Sequence, residues 1–188
     1  MATRKNQSRY ILLGLLDMRP MSGYDIKKIL EISFRDIWSE SYGNIYPTLK
    51  KFLTDGLAVK SREKQEGKPD RIVYTITPKG RKELTDWLSK PYEKRRVRDE
   101  FLMKLLFGNL LPLGDNIKLV ESYQLQLAER LHYYRDQTRE IERNGITDQK
   151  ILLEYIALRQ GKYVQEAKIE WCREAISSLQ QYSHGGTE

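Results

Sequence analysis

The sequence predicts a mostly α chain with a small β hairpin: a winged helix-turn-helix domain followed by an antiparallel helical dimerisation domain. Apolar residues recur at helical spacing over most of the chain, a stretch between residues 57 and 77 switches to alternation, and the positive charge sits in the first half. The 188 residues can bury one sizeable core or two small ones. Residues 1–98 hold 22 Lys and Arg against 12 Asp and Glu, and residues 99–188 hold 11 against 14, so the net +7 is +10 in one half and −3 in the other. A basic half joined to a mildly acidic one suggests that the first meets a polyanion; a solvated basic surface is the plainer alternative.

The elements follow in order. Tyr10, Ile11, Leu12, Leu13, Leu15 and Leu16 are apolar on nearly all sides, which fits a short helix at the centre of a small domain, ended by Pro20. A second helix starts at Ser22, a good N-cap with Asp25 in the capping-box position, and turns Ile26, Ile29, Leu30 and Ile37 inward. A turn from Ser39 to Gly43 leads to a third helix with the stripe Ile45, Leu49, Phe52 and Leu53, closed by Asp55-Gly56. Leu57 to Arg62 and Arg71 to Thr77 read as strands, the second with Ile72, Tyr74 and Ile76 on one face and Val73 and Thr75 on the other. The residues from Glu63 to Arg71, with Gly67 and Pro69 among them, form the hairpin tip. Thr77-Pro78 then opens a fourth helix with Leu84, Trp87 and Leu88 on one side.

These elements place a winged domain at 1–92, a basic linker at 93–98 around Lys94-Arg95-Arg96-Val97-Arg98, and a helical domain at 99–184. Phe101, Leu102, Leu105 and Leu106 suggest a short apolar helix ended around Gly108 to Gly114. From Asp115, residues Ile117, Val120, Gln124, Leu127, Leu131, Tyr134, Thr138 and Ile141 recur at spacings of three and four, a heptad seam stopped by Asn144-Gly145. A last helix from about Thr147 to Tyr182 carries Leu152, Ile156, Tyr163, Ala167 and Trp171. Two long amphipathic helices need a partner for their stripes. A second copy of the chain is the expected one, which makes Ile117, Val120, Leu127, Leu131, Tyr134, Leu152, Ile156 and Tyr163 the candidate dimerisation residues. Folding back as an intrachain hairpin is the alternative, and both can hold together.

With its apolar stripe inward, the third helix turns Gly43, Asn44, Pro47, Lys50 and Lys51 outward, with Tyr46 and Thr48 on the flanks. Amide, hydroxyl and ammonium groups there can bond base edges or phosphates in a major groove, and Gly43 permits close approach. Pro47 inside a helix costs a hydrogen bond, unless the helix begins near Asn44 or kinks. On the hairpin, Arg62, Lys64, Lys68 and Arg71 stand among Glu63, Glu66 and Asp70, a set suited to phosphate or minor-groove contacts. Arg4, Lys5 and Arg9 form an N-terminal arm that can reach a neighbouring phosphate or stay disordered.

Ser22-Gly23-Tyr24-Asp25-Ile26, then Gly43-Asn44-Ile45-Tyr46-Pro47-Thr48-Leu49, then Asp55-Gly56-Leu57, then Tyr74-Thr75-Ile76-Thr77-Pro78-Lys79-Gly80 together resemble the PadR family of bacterial transcriptional regulators. A helical C-terminal half of this length resembles its virulence-activator-like branch. The resemblance implies a homodimer whose winged domains bind a pseudo-palindromic operator in double-stranded DNA, usually as a repressor. It also implies a proline inside the third helix and adds Ser22 and Tyr24 to the candidate DNA contacts. A small aromatic or drug-like effector is implied near the dimer interface or between domains, with Trp38, Trp87, Tyr123 and Trp171 as candidate stacking residues. Ordinary packing is the alternative role of those aromatics. Two other functions stay open at this point: a sequence-indifferent architectural DNA binder, and a protein-interaction module built on a winged helix.

Enzyme chemistry is not expected. The sequence has no glycine-rich phosphate loop, nucleophile elbow or metal-binding helix motif, and Asp99 or Glu100 with Lys104 reads as a helical ion pair. A single cysteine, Cys172, and two distant histidines, His132 and His184, exclude an internal disulfide and argue against a metal site or cofactor. The longest apolar run, Tyr10 to Leu16, is far short of the roughly 20 residues that span a bilayer, and the expected location is the cytoplasm.

Overall fold

The computed structural model describes residues 4–35, 37–65, 68–92 and 99–185. The basic run 94–98, Glu66 and Gly67, and the side chains of Arg4, Lys5, Lys68 and His184 lie outside the described residues. The chain divides into two compact units, Met1–Lys94 and Arg95–Glu188.

In the first unit the order is α1 (Arg4–Met18), α2 (Gly23–Ile32), α3 (Tyr42–Asp55), β1 (Ala58–Gln65), β2 (Lys68–Ile76) and α4 (Pro78–Leu88). Local signals set most boundaries. The Ser22 hydroxyl accepts from the Asp25 amide while the Asp25 carboxylate accepts from the Ser22 amide, a complete capping box at the start of α2. Gly56, in the left-handed region at φ 70°, closes α3. Thr77 caps α4, with Pro78 in its first turn. The strands pair antiparallel from Ala58↔Ile76 to Gln65↔Lys68, with a register shift between Glu63 and Gln65. Met21 and Tyr74 exchange both backbone hydrogen bonds, at 3.1 and 2.8 Å, which ties the segment before α2 to the second edge of the hairpin.

The core of this unit joins Leu12, Leu13, Leu15 and Leu16 of α1 to Ile26 and Leu30 of α2 and Ile45, Leu49 and Phe52 of α3. Leu57, Tyr74, Ile76 and Leu84 close it from the hairpin and α4. Each such side chain contributes about 1.5–3 kcal/mol relative to leaving it in water.

Several expectations need correction here. Helix α1 is longer than its apolar run and includes Arg9, which is no part of a free arm: it pairs with Asp55 at 2.9 Å and with Glu83. Helix α2 ends at Ile32, so Ile37 is not on its inward face but 60% exposed in the following turn, where Ile37 and Trp38 donate to the Phe34 carbonyl. The hairpin tip is shorter than residues 63–71, because cross-strand ion pairs such as Arg71 with Glu63 let the charged segment join the ladder. Ile72 is half exposed while Val73 is buried, and Leu88 is exposed at the end of α4.

The second unit runs α5 (Glu100–Leu106), a 3-10 turn (Gly108–Leu110), α6 (Leu113–Asn144) and α7 (Gln149–Gly185). Asp99 caps α5, which turns Phe101 and Leu105 toward the unit and leaves Leu102 and Leu106 exposed. Helices α6 and α7 fold back on one another within the chain. Val120, Leu127 and Leu131 bury with Ile169 and Cys172, and Tyr134 packs on Gly161, where a Cβ would lie 2.4 Å from its ring. The seam residues Val120, Leu127, Leu131 and Tyr134 are therefore consumed inside one chain, and Ile117 is half-buried in it. Of the eight candidate dimerisation residues, Leu152, Ile156 and Tyr163 stay exposed, beside Leu153, Val164 and Trp171 on α7.

Candidate nucleic-acid interface

Helix α3 buries Ile45, Leu49 and Phe52, and its 100° step per residue turns Tyr42, Gly43, Tyr46, Pro47, Lys50, Lys51 and Thr54 to the surface. Asn44, expected on the outward face, lies half-buried; Thr48 lies half-buried on the flank, and Tyr46, expected on the other flank, is exposed. The helix starts at Tyr42 and carries Pro47 inside it, so the Gly43 carbonyl lacks its usual donor one turn on; at exposed Gly43 it remains open to water or to another donor.

Tyr46, 48% exposed, lies across the first residue of α2. A Cβ at Gly23 would stand 2.7 Å from its ring, so glycine there sets how closely the ring approaches. Tyr42 stacks on Tyr46 with ring centroids 6.0 Å apart, and the Lys27 ammonium sits 5.8 Å from the Tyr42 ring. Tyr24 stands out from α2 at 61% exposure. Ser22 is buried and occupied by the cap, which leaves its hydroxyl little freedom for a ligand.

Two predicted contacts are held by neighbours. The Asn44 amide donates to the Glu40 carboxylate at 2.9 Å. Arg71 bonds Glu63 at 2.6 Å and Asp25 at 3.2 Å, and the Glu63 bond, partly offset by desolvation, raises the guanidinium pKa. Burial pushes the Asp25 carboxyl up. The Ser22 amide and hydroxyl bonds and the charges of Arg71 and Arg19 outweigh that, and it ends below the ordinary aspartate value. Lys64 is exposed on β1, and among the described residues no ion pair is seen for it. Reading along the chain found Asp25 as a cap but not as the anchor of the hairpin, and it missed Glu40, Tyr42 and Lys28, an exposed cation of α2.

The four effector candidates fall in two groups, one in each unit. Trp38 donates to Glu40 at 3.2 Å, and Trp87 stacks on Tyr10 at 5.0 Å. Tyr123 stacks on Phe101 at 3.8 Å, and Trp171 meets that ring edge-on at 5.9 Å. Phe101 is their common partner, a role its position in an apolar run does not reveal. Cys172 is fully buried in the same unit, and burial pushes its thiol pKa up, away from the reactive thiolate. Among the described residues no cluster of His, Cys, Asp or Glu could hold a metal ion, and no helix is long and apolar enough to cross a membrane.

Residues 12–86 match the model of the transcriptional regulator PadR-like family, and residues 97–180 that of the virulence activator alpha C-terminal family. The negative transcriptional regulator PadR of Bacillus subtilis is 36% identical over 104 residues, which cover 55% of this chain and 57% of that protein. Its structure in complex with operator DNA superposes with a TM-score of 0.82 over 94% of this chain and 98% of its own, at 25% identity. The same protein solved with p-coumaric acid gives 0.71 at 24% identity, over 92% and 98%. A PadR-like regulator of Bacillus cereus gives 0.74 at 30% identity, over 92% and 98%.

Proposed function

This chain belongs to the PadR-like family of transcriptional regulators, not to a family of enzymes, and from that premise we propose that it is a homodimeric, sequence-specific DNA-binding repressor of the cytoplasm. The observation that carries this is the outward face of α3. In a fold that matches a PadR solved on operator DNA, it presents an exposed aromatic and cationic strip from Tyr42 to Thr54.

In this reading α3 enters a major groove. Tyr46, Thr48, Lys50 and Lys51 meet base edges and phosphates, with Gly43 and Pro47 keeping the helix start slim, and Tyr24 touches the adjoining backbone. Lys64, Lys68 and Arg71 lie along the flanking phosphates, Arg71 only after sharing itself with Asp25 and Glu63. Pairing through the exposed α7 stripe holds two α3 helices about 34 Å apart, one turn of B-DNA, so the operator is a pseudo-palindrome with half-sites about ten base pairs apart. The Bacillus subtilis PadR was solved with p-coumaric acid bound, and in this reading a small aromatic compound binds this chain too and shifts its dimer toward a spacing that releases DNA.

The test is selection of genomic fragments by the full chain, followed by competition of the most enriched duplex against a random duplex of equal length at two salt concentrations. Specific repression requires preference for the enriched duplex and a shared inverted repeat. Equal affinity for both duplexes would mean an architectural binder instead.

A further inference from the structure

Glu40 is a carboxylate only 5% exposed, placed just ahead of α3 and bonded from three directions. It accepts from the Ser8 hydroxyl of α1, from Trp38 Nε1 at 3.2 Å and from the Asn44 amide of α3 at 2.9 Å. All three donors are neutral. Burying a carboxylate this way is costly unless its bonds are well formed, so the network fixes its members in place. It also stands where a cap is missing: Ser41, the N-cap of α3, makes no side-chain capping bond, and a negative charge at a helix N-terminus is favourable. At the other end of α3, Asp55 pairs with Arg9, the residue that follows Ser8. Two successive residues of α1 thus hold α3 near both of its ends.

We infer that Glu40 is a positioning residue for DNA recognition: through Ser8 and Asn44 it sets the pose of the first turn of α3, and the Asn44 amide serves this tether instead of reading bases. The inference rests on the DNA-binding reading of α3.

Hydrogen-bond polarity provides the test. In Asn44→Asp two carboxylates face each other and the tether breaks. In Glu40→Gln/Asn44→Asp a Gln amide donates to the new carboxylate, so the tether reforms with the original net charge and without any amide at position 44. The full-length variants, with Ser8→Ala as a third, are assayed on the genomic duplex most enriched by the wild type and on a random duplex. Melting temperature and dimer mass are measured alongside.

Asn44→Asp is expected to lower the ratio of specific to random affinity by about ten- to a hundredfold, as for loss of a bond to a charged group. Ser8→Ala should lower it severalfold with the dimer intact, and the double variant should return to within about threefold of wild type. If Asn44→Asp does not fold, recovery of both melting temperature and specificity in the double variant carries the same meaning. A double variant that folds and dimerises but discriminates no better than Asn44→Asp overturns the inference, as does an unchanged ratio in Ser8→Ala and Asn44→Asp. A wild type that fails to discriminate overturns the DNA-binding reading itself.

Discussion

The ring of Tyr46 rests on the backbone of Gly23 so closely that a methyl group there would stand 2.7 Å from it. Because the ring is half exposed it can swing aside, so Gly23→Ala should cost stability only about 1 kcal/mol or less, below the usual overpacking range. The swing moves Tyr46 off its place on the α3 face. Affinity for the selected duplex should fall about tenfold or more, the equivalent of 1.4 kcal/mol, while a urea melt barely changes. A matched loss in both measurements would mean that the contact matters for folding alone.

Asp25 should make part of the stability depend on acid. Its folded pKa lies below the unfolded value of 3.8, so its contribution is complete above that value and is lost as the pH falls through the folded pKa. Asn at this position keeps an acceptor but loses the charge facing Arg71. Asp25→Asn should be destabilised by about 0.5–2 kcal/mol at pH 7, the scale of a lost cap. The gap between it and wild type should narrow at pH 3, as measured by thermal unfolding at both pH values.

On the hairpin, Lys64 and Arg71 should separate. Lys64→Ala should reduce the slope of log affinity against log salt by about one unit and weaken all duplexes alike. Arg71 is already shared between Glu63 and Asp25, so Arg71→Ala should change that slope by clearly less. Equal slopes would show that Arg71 leaves its carboxylates on binding.

In α7, Gly161 lies against Tyr134, whose ring is almost fully buried and has nowhere to go. Replacing an interior helical Gly with Ala ordinarily gains about 1 kcal/mol. Here the overlap should outweigh that gain, and Gly161→Ala should lower stability by about 1–2 kcal/mol net in a urea melt.

Charging the uncovered stripe of α7 tests the association. Ile156→Glu with Tyr163→Glu should yield a monomer by light scattering with unchanged helical circular dichroism, since neither side chain is buried in the α6 and α7 hairpin. A dimer of undiminished mass would place the interface elsewhere.

Boundaries were the most legible part of this chain, because caps and turns are local chemistry: Ser22 with Asp25, Asp55-Gly56 and Thr77-Pro78 each act within a few residues. Burial was less so. Ile37 and Ile72 sit in patterns that should face inward, but whether an apolar side chain is covered depends on where a neighbouring element ends. The heptad seam of α6 foretold a buried stripe without saying whether its partner would be the same chain or another. The Glu40 network was illegible for a simpler reason: Ser8 lies 32 residues away, and no periodicity links a hydroxyl, an indole and an amide to one carboxylate. The third helix, by contrast, showed most of its outward side chains from spacing alone, with Asn44 turned in from that face and Tyr46 turned out from the flank.

Holding α3 from α1 at both ends also divides labour among residues. Ser8, Arg9, Glu40 and Asp55 fix the rod, and none of them is on the strip that runs through Tyr46, Pro47, Lys50 and Lys51. Letters on that strip can be rewritten without touching the brackets that hold it. A library randomised at Tyr46, Thr48, Lys50 and Lys51 over a fixed mounting is therefore a practical route to variants that recognise new sites, and the same separation would let gene duplicates diverge in target while keeping one scaffold.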